Sequence, residues 1–86
     1  MPEISRFFGM VVEMFFRDHA PPHFHVRYGS ARARIRIAPV ELLDGRLPVR
    51  HLAMVAEWAT LNQAELLENW DRLRTDRPPL RIAPLE

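Results

Sequence analysis

The sequence predicts an α+β domain: a small, mostly antiparallel sheet of three to four strands, followed by two C-terminal helices packed on one face. Apolar and charged residues alternate with a period of two in residues 31–37, which is typical of a half-buried strand. Apolar residues recur at helical spacing in the second half of the chain. At 86 residues we expect one domain, residues 1–86, with a β-rich part (4–47), an α-rich part (48–76) and an extended tail (77–86).

Four short segments of the first half have the composition of strands. Residues 7–16 are rich in Phe, Val and Met and are predicted to form one central strand. Residues 23–28 and 31–37 are predicted to form a hairpin, because a Gly-Ser pair separates them. Residues 40–43, followed by an Asp-Gly pair, indicate a short fourth strand and a turn.

The α-rich part contains one internal helix boundary. Asn62 followed by Glu65 has the spacing of a capping box, which marks a helix start. We therefore expect two helices, about 48–60 and 63–75, with a single kinked helix as the alternative. Their shared apolar stripe comprises Leu52, Val55, Ala56, Ala59, Leu66, Trp70 and Leu73.

The composition excludes several classes of protein. The 12 positive side chains are all Arg, and 11 acidic residues leave a net charge of +1, which by itself does not indicate nucleic-acid binding. The chain has no cysteine, so disulfides and thiolate zinc sites are excluded. The apolar stretch 7–16 is far shorter than the ~20 residues of a membrane-spanning helix and lacks the features of a signal peptide. We expect no membrane association and a cytoplasmic location.

The segment 18–25, DHAPPHFH, is the strongest candidate site because it holds three of the four histidines. His23 and His25 are two apart on a predicted strand, so their imidazoles leave the same face roughly 6–7 Å apart. That spacing suits a metal ion such as zinc, with His19 as third ligand and Asp18 as a ligand or an orienting group. It equally suits metal-free acid/base catalysis, since a neutral imidazole exchanges protons near pH 7. A solvated sheet face that tolerates histidine is the third alternative.

An arginine stripe is the second candidate feature. Arg32, Arg34 and Arg36 project together from the predicted third strand, and Arg27 lies just across the hairpin turn. If this hairpin pairs as predicted, the arginines and the histidines share one sheet face. Like charges in a row favour an anionic partner, either the phosphates of a nucleic acid or an acidic protein surface. The alternative is a charged edge strand that resists aggregation.

Motifs along nearly the whole chain resemble the bacterial domain-of-unknown-function 4160 family. The most specific of them is the histidine segment with its two preceding prolines. The matching motifs are Ile4-Ser5-Arg6-Phe7-Phe8-Gly9, Met14-Phe15-Phe16, Asp18-His19-x-Pro21-Pro22-His23-Phe24-His25-Val26-x-Tyr28-Gly29, Gly45-x-Leu47-Pro48, Glu57-Trp58 and Glu65-Leu66-Leu67-x-Asn69-Trp70.

The resemblance implies a small bacterial protein encoded beside a second small protein, of the domain-of-unknown-function 2442 family. That arrangement is similar to a type II toxin–antitoxin pair. It implies that this chain is the toxin and that direct binding of the cognate antitoxin neutralises it. The family's histidine motif corresponds to His19, His23 and His25 here, whereas the arginine stripe matches no fixed family pattern.

If the chain acts chemically, we expect RNA cleavage. His23 and His25 would then be the acid/base pair. Asp18 and His19 would orient this pair, and Arg32 and Arg34 would bind phosphate. The alternatives are a non-enzymatic module that binds nucleic acid or protein through the sheet face, and a small metalloprotein with histidine ligands.

Overall fold

The computed structural model describes residues 2–86 and confirms the α+β class. Five antiparallel strands lie side by side in chain order and are followed by two helices. The elements are β1 (Glu3–Phe7), β2 (Met10–Glu13), β3 (His23–Tyr28), β4 (Ala31–Arg36), β5 (Glu41–Gly45), α1 (Val49–Leu61) and α2 (Gln63–Arg74). The predicted count of three to four strands is therefore wrong, and the prediction of two C-terminal helices is confirmed.

The extra strand arises because residues 7–16 contain a hairpin rather than one continuous strand. Phe7 pairs with Met10, and Phe8 and Gly9 form the two-residue turn between them. Both turn residues have positive φ, 49° at Phe8 and 78° at Gly9. Two-residue hairpin turns commonly require positive φ at both positions, which Gly adopts without strain. This turn divides the expected central strand into β1 and β2.

The core lies between the sheet and the helices. Apolar side chains alternate along the strands with polar ones that face away from the core. Trp58 of α1 is fully buried, with its ring centroid 5.2 Å from that of Phe7 and 5.8 Å from that of Phe24. Within the described residues, neither helix is long and apolar enough to cross a membrane.

Asn62 separates the two helices, but it does not form the predicted capping box. Its side-chain amide donates to the Trp58 carbonyl oxygen (2.9 Å), and its backbone N–H donates to the same oxygen. No side-chain cap bond begins α2. Asn62 therefore closes the end of α1, which satisfies a carbonyl that the helix leaves free.

The tail, residues 77–86, forms neither helix nor strand and crosses back over the core. Ile82 donates its backbone N–H to the Ile4 carbonyl oxygen, and the Trp58 indole donates to the Ala83 carbonyl oxygen, both at 2.8 Å. Asn69 bonds both backbone groups of Leu80, each at 2.8 Å. The tail is thus tied to β1, α1 and α2.

The end of β5 is fixed by Gly45. This residue pairs with Ala33 of β4 and has φ +82°. A Cβ atom there would collide with the backbone of Arg32 and Ala33, so the two strands approach too closely for any other residue. The register also shifts between Arg34 and Ile35, which leaves Arg34 opposite Asp44.

Candidate functional site

The predicted histidines and arginines do share one face of the sheet, the face opposite the core, here called the outer face. The pairing of β3 with β4 places His23 opposite Arg36, His25 opposite Arg34, and Arg27 opposite Arg32. On the other side of β3, Glu13 of β2 lies opposite His25. The period of two in the sequence therefore brings the two candidate features together.

Three of the four predicted arginines are paired with carboxylates. Arg34 binds Asp44 of β5 through two guanidinium nitrogens, and this contact lowers the pKa of the Asp44 carboxyl. Two further pairs join the strands: Arg36 with Glu41, and Arg27 with Glu13 at 3.2 Å.

Among residues 2–86, Arg32 makes no salt bridge and no side-chain hydrogen bond, and it is exposed. The acids that neutralise its neighbours come from β2 and β5, and not from β4 itself. Arg32 is therefore the member of the stripe that remains available to an anion.

A cavity of about 510 Å³ opens on the outer face. Its wall includes three arginines, two carboxylates and two rings: Arg27, Arg32, Arg34, Glu13, Asp44, Phe15 and His25. The exposed Arg32 and the His25 imidazole thus border the same space. A histidine and an unpaired guanidinium on the wall of one cavity suit a phosphorylated ligand.

His25 also belongs to a compact cluster with Asp18 and His23. Asp18 Oδ2 lies 2.8 Å from His25 Nε2 and 3.0 Å from His23 Nε2. One donor atom from each of the three residues lies within 4.8 Å of the other two. Partial burial alone would raise the pKa of Asp18, but hydrogen bonds from His25 and from the His19 backbone N–H lower it overall.

His19, predicted as a metal ligand or an orienting side chain, is not a member of this cluster. Its side chain is exposed, and its backbone N–H donates to Asp18 Oδ1 at 2.9 Å. Asp18 occupies the place expected for His19. The loop that precedes β3 therefore contributes a carboxylate in place of a third imidazole.

The fold gives the two histidines different environments. His23 is only 1% exposed, lies 5.4 Å from Trp70 of α2 (ring centroids) and has its Nδ1 2.7 Å from the Pro21 carbonyl oxygen. The His25 side chain is 25% exposed and packs edge-on against Phe15 at 4.5 Å. His25 can therefore meet a ligand from solvent, whereas His23 cannot without rearrangement.

Four residues around the site were not predicted from the sequence: Glu13, Phe15, Glu41 and Asp44. A weak signal existed for Glu13, since it interrupts the apolar stretch 7–16. Asp44 was assigned only to a turn. Their roles follow from strand register, which the amino-acid pattern alone does not specify.

The fold and the cluster define a small α+β protein with two histidines and one carboxylate beside an arginine-lined cavity. The family model of DUF4160, a domain of unknown function, matches residues 9–71. The match spans more than half of the chain, so the chain belongs to this family, as its motifs predict. All residues of the cluster and of the cavity wall fall within the match. No curated protein and no solved structure matches the chain significantly.

Proposed function

We propose that this protein is the toxin of a bacterial type II toxin–antitoxin pair and that it acts on RNA at the outer-face cavity. The observation that carries the RNA substrate is the shared cavity of Arg32 and His25. Arg32 supplies a guanidinium without a carboxylate partner, which binds a phosphate through forked hydrogen bonds. His25 supplies an imidazole next to that phosphate. The toxin role rests on the resemblance to a family whose genes lie beside those of a small partner protein.

The roles of individual residues differ from those expected from the sequence alone. His23 is too buried to serve as the second acid/base group. Its role is to pack against His25 and to contact Asp18. Arg34 is occupied by Asp44, which leaves Arg32 as the principal phosphate ligand. Asp18 holds the His25 ring through the 2.8 Å contact with Nε2.

RNA cleavage by the purified protein tests the substrate. We expect Arg32→Gln to weaken RNA binding and to lower the salt dependence of binding, because one phosphate contact is lost. His25→Ala is expected to abolish cleavage while leaving RNA binding largely intact. Arg50→Gln is the matched control, since Arg50 is an exposed arginine on α1, away from the cavity.

Three outcomes contradict the proposal in different parts. Cleavage that survives His25→Ala removes His25 from the chemistry. Salt-dependent RNA binding without turnover identifies a non-enzymatic binding module. Equal effects of Arg32→Gln and Arg50→Gln show that only overall charge matters.

Growth arrest tests the toxin role separately. We expect expression of the chain alone to arrest a bacterial host, and co-expression of the neighbouring protein of the domain-of-unknown-function 2442 family to relieve the arrest. The two proteins should also co-purify as a complex. No arrest in the native host, with the folded protein present, contradicts the toxin role.

A further inference from the structure

We propose that Asp18, His23 and His25 form a binding site for one divalent transition-metal ion, with zinc as the best-fitting ion. Two imidazoles and a carboxylate are a common ligand set for such ions, and three protein ligands leave one position open. This site uses Asp18 where the sequence suggested His19. It goes beyond the proposed function, since metal binding requires neither RNA nor an antitoxin.

The first argument is the state of the His23 ring. Its Nδ1 lies 2.7 Å from the Pro21 carbonyl oxygen, which can only accept a hydrogen bond. Nδ1 therefore carries the proton, and in the neutral ring Nε2 presents a lone pair. This Nε2 is buried and has no hydrogen-bond partner among the described residues.

The nearest polar atom to that lone pair is Asp18 Oδ2, at 3.0 Å. A carboxylate oxygen is also an acceptor, so two electron-rich atoms face each other inside the protein. Such an arrangement is costly unless a cation lies between the atoms, either a proton on Nε2 or a metal ion, and the zinc titration below distinguishes the two. The same oxygen lies 2.8 Å from His25 Nε2, so one ion that displaces the proton from this nitrogen would meet all three ligand atoms.

The second argument is that the ligand spacing is close to that of a metal site. Zinc bonds to nitrogen and oxygen of ~2.0–2.2 Å in a tetrahedral site imply separations of roughly 3.3 Å between ligand atoms. The separations of 2.8 and 3.0 Å need to widen by only a few tenths of an ångström. Asp18 lies in a loop, which can make this adjustment, whereas both histidines are fixed on β3.

The third argument is the support behind the ligands. A histidine that binds a metal usually donates its other ring N–H to a carbonyl or a carboxylate, which fixes the tautomer and the ring orientation. The Pro21 carbonyl oxygen does this for His23. Trp70 and Phe15 pack on the two rings, so the cluster is largely preorganised.

The open side of the site faces the cavity. The side chains of Asp18 and His25 are 20% and 25% exposed, whereas that of His23 is 1% exposed. His25 forms part of the cavity wall. An ion held here has its free position on the solvent side of the cluster, where it can bind water or an oxygen of a phosphate.

The test is zinc binding by untagged protein that has been treated with a chelator and dialysed. Calorimetric titration with zinc chloride should show one binding site per chain. Elemental analysis of the zinc-loaded protein after desalting should likewise give one zinc per chain. His25→Ala and Asp18→Asn should each weaken binding by more than the ~10–100-fold that loss of an outer-shell partner costs. His19→Ala is the matched control, because it removes a neighbouring exposed histidine outside the cluster.

Cobalt(II) provides a readout that does not depend on activity. The wild type and His19→Ala should give the intense visible absorption of four-coordinate cobalt, and His25→Ala should lose it. His23→Ala is avoided because His23 is part of the packed interior; circular dichroism checks the folding of the other variants.

The metal proposal is overturned by zinc binding below stoichiometry, or by binding that His25→Ala and Asp18→Asn leave unchanged. It is also overturned if His19→Ala lowers affinity as much as they do. Stoichiometric zinc with no effect on RNA or growth leaves the metal site standing and rejects the proposed function. RNA cleavage that depends on His25, by a protein that binds no stoichiometric zinc, rejects the metal site and leaves the proposed function standing.

Discussion

Replacing Asn69 should loosen the tail and lower the stability of the whole domain. The Asn69 side chain is 1% exposed and makes two hydrogen bonds of 2.8 Å to the backbone of Leu80, one as donor and one as acceptor. A net value of about 1 kcal/mol for each bond gives about 2 kcal/mol for Asn69→Ala. For a domain of this size, that loss corresponds to a fall in Tm of roughly 8–16 °C.

Denaturation in urea measures this loss, and Asn62→Ala is its control. Asn62 makes one side-chain bond, to the Trp58 carbonyl oxygen, so its removal should cost about half as much, ~1 kcal/mol. Asn69→Asp at neutral pH should be at least as harmful as Asn69→Ala, because a carboxylate oxygen then faces the Leu80 carbonyl oxygen.

Hydrogen exchange at the Leu80 amide locates the effect. Its N–H donates to Asn69 Oδ1, so exchange should accelerate sharply in Asn69→Ala. An unchanged Leu80 exchange rate, or a stability loss no greater than that of Asn62→Ala, would refute the assignment of Asn69 as the clamp of the tail.

Three further perturbations test other parts of the fold. Gly45→Ala should destabilise the domain by several kcal/mol or prevent folding, because the φ of +82° and the close backbone contact leave no room for a Cβ. Urea denaturation measures this, and a fall in the free energy of unfolding below about 1 kcal/mol contradicts it. Glu3 has its pKa lowered to about 2, chiefly by hydrogen bonding from Arg6, so its stabilising contribution is complete above its ordinary pKa of 4.5 and is lost as the pH falls towards 2. Carboxyl NMR should show this low titration midpoint, and Arg6→Gln should raise it. Arg27→Ala should cost about 1–3 kcal/mol, because the buried Glu13 carboxylate loses its partner. Adding Glu13→Gln should recover part of that loss, and a double variant no more stable than Arg27→Ala argues against the ion pair.

The sequence pattern predicted the α+β class, the two helices and the shared face of the histidines and arginines, because each depends on local periodicity. It did not predict the turn at Phe8, since a bulky aromatic residue at positive φ is uncommon and hairpin turns usually carry Asn or Gly there. The only turn signal is Gly9, which lies inside the stretch 7–16 that the composition predicts to be one strand.

The chemistry of the outer face was less predictable than its composition. Three like charges on β4 predicted an anionic partner, but Asp44 of the neighbouring strand lies opposite Arg34 next to a register shift and neutralises it. The burial of His23 depends on Trp70, which comes from a distant part of the chain. Such pairings depend on tertiary packing, which residue periodicity does not encode.

The chain-order arrangement of the strands has a consequence for synthesis on the ribosome. Every strand pairs with its neighbour in sequence, so hairpins can close within microseconds as the chain emerges. The sheet is complete at Gly45, yet the helices that cover its apolar face end only at Arg74. At about 5–20 residues per second, a nascent sheet with one bare apolar face persists for seconds. During that interval the half-made protein is a better target for a chaperone or for aggregation than the finished one.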